Sequence, residues 1–200
     1  MSKPVNLGRQ RTLRSMVNYS FPASFIMSNL NLNLGFTYTS TPSLINNATN
    51  TSYSSTLSPG LTLNSNISQD LDFSLSYRAN FNSVENSIQA NLDNKYFSHT
   101  ASFRLNWIFW EGFVIRSDVR NQLNRRTETN FNQNFIMWNA SIGKKLFAND
   151  QGEISFQVFD LLNQNRNVNQ TVSDTYLEEQ QTKNLNRYFL LTFSYRLTSF

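Results

Sequence analysis

Apolar and polar residues alternate along this chain with a period of two. In Asn29-Leu30-Asn31-Leu32-Asn33-Leu34-Gly35-Phe36-Thr37-Tyr38-Thr39, even positions are apolar and odd positions are small or polar. Leu71-Asp72-Phe73-Ser74-Leu75-Ser76-Tyr77-Arg78-Ala79-Asn80-Phe81 repeats the pattern, with Asp72 and Arg78 on the polar side. Successive side chains of a strand point to opposite faces, so one face meets an apolar medium and the other meets water. The same reading predicts strands near 10–20, 29–40, 53–67, 71–82, 96–109, 113–124, 134–147, 152–162 and 187–197. Globular sheets mostly use strands of ~5–6 residues. A tilted strand that crosses a membrane needs ~9–11. The fold class expected is therefore all-β, an antiparallel up-and-down meander of long strands forming part of a transmembrane β-barrel across residues 1–200.

Connections sharpen the reading. Short ones lie around 21–28, 68–70, 110–112 and 148–151, and long ones around 41–52, 83–95, 125–133 and 163–186. Bacterial outer-membrane barrels have short periplasmic turns and long extracellular loops. With the short turns placed below, Phe21, Trp107, Trp110, Phe113, Phe147 and Tyr195 fall near the lower rim, and Tyr38, Tyr53, Phe81, Tyr96, Phe97 and Phe189 near the upper. Two aromatic belts flanking an aliphatic band form a girdle. Pro59 interrupts the third strand, where a bulge is the expected remedy.

Composition narrows the function classes. The chain has no cysteine, which excludes disulfide frameworks and thiolate metal sites, and one histidine, His99, which excludes histidine clusters and for which no triad partner is read. His99 falls on the apolar parity near the upper interface and is read as a strand residue. The net charge is +4, with Lys and Arg dispersed, so no nucleic-acid partner is expected. Met1-Ser2-Lys3-Pro4 leads into Arg9, Arg11 and Arg14 without an apolar core, so no secretory signal is read. Gly-rich phosphate loops and nucleophile-elbow or zinc-protease motifs are also missing, and neither catalysis nor a cofactor is expected. Asp174, Glu178 and Glu179 cluster in the longest loop, where a solvated hairpin is favoured over a divalent cation bridging lipopolysaccharide.

The polar parity supplies the candidate site. Asn31, Asn33, Thr37, Ser74, Ser76, Arg78, Asn80, Ser102, Arg104, Asn106, Arg116, Asp118 and Arg120 would line a hydrated lumen or a plug-docking surface. Leu30, Leu32, Leu34, Leu71, Phe73, Leu75, Phe103 and Leu105 would meet lipid. A turn centred near Glu111 would set Arg104 opposite Asp118, with Arg116 or Arg120 able to share the carboxylate.

The C-terminal stretch is motif-like. Phe159-Asp160-Leu161-Leu162-Asn163-Gln164-Asn165, then Asp174-Thr175-Tyr176, then Asn186-Arg187-Tyr188-Phe189-Leu190-Leu191-Thr192-Phe193-Ser194-Tyr195-Arg196-Leu197 resembles the end of TonB-dependent-receptor-like outer-membrane β-barrel proteins. In that family an Asp-Leu-Asn strand end, a long loop and an aromatic final strand close the barrel. The resemblance implies a large barrel with an N-terminal plug, uptake of siderophores, glycans or peptides, and contact with the barrel-assembly machinery, outer-membrane lipid and lipopolysaccharide. Phe189, Leu191, Phe193, Tyr195 and Leu197 would form the final strand, and Phe200 the insertion signal, although Phe200 lies off their parity. The chain departs from the family in showing no plug, no coupling box and about nine strands, so the further wall strands and the plug are expected partners. Two alternatives stay open. One is a self-contained eight-stranded barrel over 29–197, with a structural or adhesive role; the other is a soluble β-sandwich that binds glycans.

Overall fold

The alternating stretches pair with their chain neighbours into one antiparallel meander. The computed structural model describes residues 7–65, 67–88, 93–126, 132–164, 167–172, 177–182 and 185–197, with the backbone alone for Phe25, 167–172 and 177–182. Its strands are β1 (Arg11–Ala23), β2 (Ser28–Ile45), β3 (Ala48–Ser65), β4 (Leu71–Asn86), β5 (Asn94–Phe109), β6 (Phe113–Arg126), β7 (Asn132–Leu146), β8 (Gly152–Phe159), β9 (Asn167–Val172), β10 (Leu177–Thr182) and β11 (Tyr188–Tyr195). Nine of them form one sheet in the order β1-β2-β3-β4-β5-β6-β7-β8-β11. β9 and β10 pair separately as a hairpin within the stretch expected to be a loop. β1 and β11 occupy opposite edges, and among the described residues no ladder joins them.

Register places whole rows of like residues side by side. Phe21, Leu30, Leu63, Leu75, Phe103, Val119 and Trp138 form one row across β1–β7. Leu71, Trp107, Ile115, Ile142, Phe156 and Leu191 form another across β4–β8 and β11. Each row enters its first strand near the short-turn end and is carried toward mid-strand by the last, the stagger of tilted barrel strands.

The sheet inverts the burial of a water-soluble fold. Leu32, Leu34, Phe36, Leu75 and Tyr77 are 38%, 46%, 38%, 43% and 41% exposed, whereas Asn31, Asn33, Thr37, Ser74 and Ser76 between them are more covered. Buried hydrophobic residues among those described are Ala23, Ala79, Val84 and Val114. Such a face needs an apolar solvent.

Four local expectations are corrected. Residues 41–52 are not a long loop, because β2 and β3 stay paired up to Ile45↔Ala48 and turn through Asn46 and Asn47 alone. Both asparagines have positive φ (50° and 64°), the backbone that two-residue hairpins need and Asn tolerates. Pro59 causes no bulge. The β3–β4 pairing skips Ser58 and Pro59, since Pro59 has no N–H to offer, and resumes in the same register at Gly60↔Arg78. Ser58 Oγ bridges the gap by donating to Asn80 Oδ1 at 2.8 Å. β8 ends at Phe159 and not at 162, because Asp160 turns to φ 53° and Asn163 to φ 54°. Tyr96 leaves the upper belt, because it stands opposite Asn82 and so shares the polar face.

Candidate functional site

Charge is sorted between the two faces of the sheet. On the polar face lie Arg14, Asp72, Arg78, Arg104, Arg116, Asp118, Arg120, Arg126, Lys145 and Glu153. On the apolar face the charged strand residues are Arg11, Glu85, Lys95, Arg125 and Lys144, all within the first or last few residues of their strands. The band between them is uncharged. Desolvating a charge in hydrocarbon costs ~2–4 kcal/mol at the midplane of such a wall and little at its rims, which accounts for this sorting.

The residues that the sequence assigns to the lumen share the polar face. Asn31, Thr62, Ser76, Ser102 and Arg120 form one row, and Asn33, Gly60, Arg78 and Thr100 the next. Thr37 lies opposite Thr56, and Asn80 opposite Ser98. Short side chains bond across strands here, as in Ser76 Oγ with Ser102 Oγ at 2.6 Å and Thr56 Oγ1 donating to Asn82 Oδ1 at 2.7 Å. The Asn33 carboxamide occupies the space over Gly60, where a Cβ would come within 2.4 Å of its Oδ1.

The Trp110-Glu111-Gly112 turn sets Arg104 opposite Asp118, and Arg104 Nε donates to Asp118 Oδ2 at 3.1 Å. Arg116 does not share that aspartate. It reaches across β7 to Glu153 on β8, with Nη2 to Oε2 at 2.9 Å and a second contact between Nη1 and Oε1. Gly143 lies between them, and a Cβ there would stand 3.2 Å from Glu153 Oε1. Glu153 was missed as a site residue. Its polar parity in β8 was the available signal, but pairing over an intervening strand is not a nearest-neighbour contact. Arg104, Asn106, Arg116, Asp118, Ser141 and Gln157 border a hollow of about 220 Å³.

At the sheet's end the motif residues find physical roles. Asp160 is 4% exposed. Its carboxylate accepts the Gln164 N–H at 2.9 Å, its carbonyl accepts the Asn163 N–H at 2.9 Å, and its own N–H donates to Asn139 Oδ1 at 3.0 Å. Asn163 Oδ1 accepts the Arg187 N–H at 3.3 Å, tying the strand end to the entry of β11. Phe189, Leu191, Phe193 and Tyr195 share the apolar face, and Leu197 follows the strand. Phe200, Asp174 and Tyr176 lie outside the described residues, as do the side chains of Glu178 and Glu179.

The rings gather as belts. Below, Trp107 lies tilted against Phe109 (4.8 Å) and Trp110 against Phe113 (6.0 Å), and Phe147 meets Tyr195 edge-on (5.7 Å). Above, Tyr38 pairs with Tyr53 (6.5 Å) and Phe81 with Phe97 (4.9 Å). His99 sits on the apolar face, with Nε2 2.9 Å from Asn121 Oδ1 and Nδ1 3.5 Å from the Tyr77 hydroxyl, so its polarity is met within the sheet. Among the described residues no group of acidic or histidine side chains is placed to hold a metal.

A meander of long strands, apolar and ringed by aromatics on one face, polar and charged on the other, is the wall of a transmembrane β-barrel. The chain belongs to the outer membrane protein beta-barrel family, whose sequence model matches residues 37–195. No curated protein and no solved structure matches it.

Proposed function

We propose that this chain is a wall segment of a TonB-dependent-receptor-like outer-membrane transporter, without catalysis of its own, whose partners are further wall strands and a plug. The observation that carries the reading is the pair of unjoined edges. β1 and β11 each present a row of backbone N–H and C=O groups, and each such group costs several kcal/mol if left unpaired in lipid. Further strands would satisfy them. The polar face fits the interior of a large barrel, because its small neutral groups and sparse charges leave room for water, a plug or a passing solute. The Asp160–Asn163 turn and aromatic β11 support the same family resemblance.

The chain lacks native thiols, so engineered cysteine pairs report edge contact cleanly. A scan pairing positions 12–20 with 188–194 in the membrane-inserted protein is expected to give no intrachain disulfide at any register. A disulfide requires Cα atoms within roughly 7 Å. An efficient intrachain bond would show closure on itself and favour the self-contained barrel with a structural or adhesive role.

A further inference from the structure

The apolar face is not uniformly smooth. Between β2 and β5 it opens into a groove of about 320 Å³, lined by Phe36, Leu57, Phe81, Phe97, Ser83 and Lys95. Phe36, Leu57, Phe81 and Phe97 form one continuous row, and the next residue in that row is Arg125 on β6. The row climbs as it crosses the sheet. Phe36 and Leu57 sit midway along β2 and β3, whereas Phe97 is the fourth residue of β5 and Arg125 the penultimate residue of β6; Lys95 lies two residues beyond Phe97, nearer the rim.

The groove therefore begins at hydrocarbon depth and ends at Lys95 on the loop-bearing rim, where Arg125 stands opposite Phe97 on the same face. Lys95 and Arg125 are exposed, and neither makes an ion pair or hydrogen bond with another described residue. Ser83, opposite Lys95, has a hydroxyl with no partner among the described residues. Two acidic residues are described near this rim: Glu85 stands opposite Tyr53 and Asp93 accepts the Asn86 N–H at 2.7 Å, and neither forms an ion pair with either cation. At the other rim the apolar face carries Lys144, which is already engaged by the Phe113 ring (4.3 Å) and the Glu111 carbonyl (2.6 Å).

We infer that this groove is a lipid site that seats one acyl chain along Phe36, Leu57, Phe81 and Phe97 and the phosphate of its headgroup between Lys95 and Arg125. A phosphate accepts charge-assisted bonds from both cations at an interface where each basic residue attracts anionic lipid. In the outer leaflet the lipid of that chemistry is the phosphorylated anchor of lipopolysaccharide. The assignment rests on the loop-bearing rim facing outward, as expected for short-turn and long-loop barrels; it does not require that the barrel transports anything.

The test is native mass spectrometry of the protein extracted from outer membranes in mild detergent. The wild-type chain should retain the phosphorylated anchor of lipopolysaccharide. The double variant Lys95→Glu, Arg125→Glu should lose about tenfold or more of it. Lys144→Glu, at the opposite rim, should retain it, and the β-sheet circular dichroism of all three should match. No phosphorylated lipid on the wild type, equal retention by the double variant, or equal loss in Lys144→Glu would overturn the site. Retention of phospholipid alone, lost in the double variant, would overturn the lipopolysaccharide assignment; intact-cell labelling of the loops tests orientation separately.

Discussion

Arg116 and Glu153 are the best-sheltered ion pair of the polar face, and a missing side chain permits it. Gly143 leaves open the path over β7 that both long side chains use. Breaking a fully buried pair on one side costs about 3–5 kcal/mol. With Arg116 43% and Glu153 22% exposed, solvent screening reduces this, and Glu153→Gln should cost about 1–2 kcal/mol. The Arg104–Asp118 pair, 70% and 39% exposed, should be worth only about 0.2–1 kcal/mol by the same measure. Denaturant midpoints of the reconstituted protein in two double-mutant cycles check the ranking, and equal coupling energies would contradict it. A second glycine bears on the lower rim. A Cβ at Gly152 would meet the Phe147 ring at 2.6 Å, and that ring lies edge-on to Tyr195. Gly152→Ala should displace the ring at a cost of about 1–3 kcal/mol. Unchanged stability would show that Phe147 moves aside freely.

Each hairpin is specified by alternation plus one turn, and the two differ in how plainly a sequence displays them. Alternation in β2, β4 and β5 is nearly unbroken, so their facing is legible, and so is Arg104 opposite Asp118 once Glu111 is taken as the turn centre. The Asn46-Asn47 turn was hidden because it contains no glycine and Pro42 stands close by, so a continuous ladder read as a loop. The β9–β10 hairpin was hidden for another reason. Asn167–Val172 and Leu177–Thr182 carry almost no alternating apolar residues, because their sheet does not join the wall. Glu153 was illegible because its partner is two strands away. Facing itself is testable. Leu32→Arg should cost ~2–4 kcal/mol in lipid, while Asn31→Arg, on the polar face, should be tolerated within about 1 kcal/mol. Equal costs would mean that the two faces do not see different solvents.

For the whole molecule, the expected orientation rests on the rim that carries the longer β4–β5, β6–β7 and β8–β11 connections, which the two-residue Asn46-Asn47 turn shares. Single cysteines in this thiol-free chain allow a direct assay on intact cells with a membrane-impermeant maleimide. Asn47→Cys should label from outside, and Glu111→Cys only after the outer membrane is opened. The reverse pattern would turn the wall upside down. The β2–β3 hairpin adds something that neither edges nor belts supply. Each of its strands has 18 residues, against the ~9–11 that a bilayer requires. At ~3.3 Å per residue and a tilt of ~45°, the surplus carries its tip roughly 20 Å clear of the hydrocarbon. Paired backbone bonds run to the last residue before Asn46, and β4 flanks β3 up to Ser52↔Asn86, so this projection is a stiff mast buttressed for much of its length. A short epitope inserted between Asn46 and Asn47 would be held away from the cell surface and read by antibodies on living bacteria, and the wall beneath it would be undisturbed.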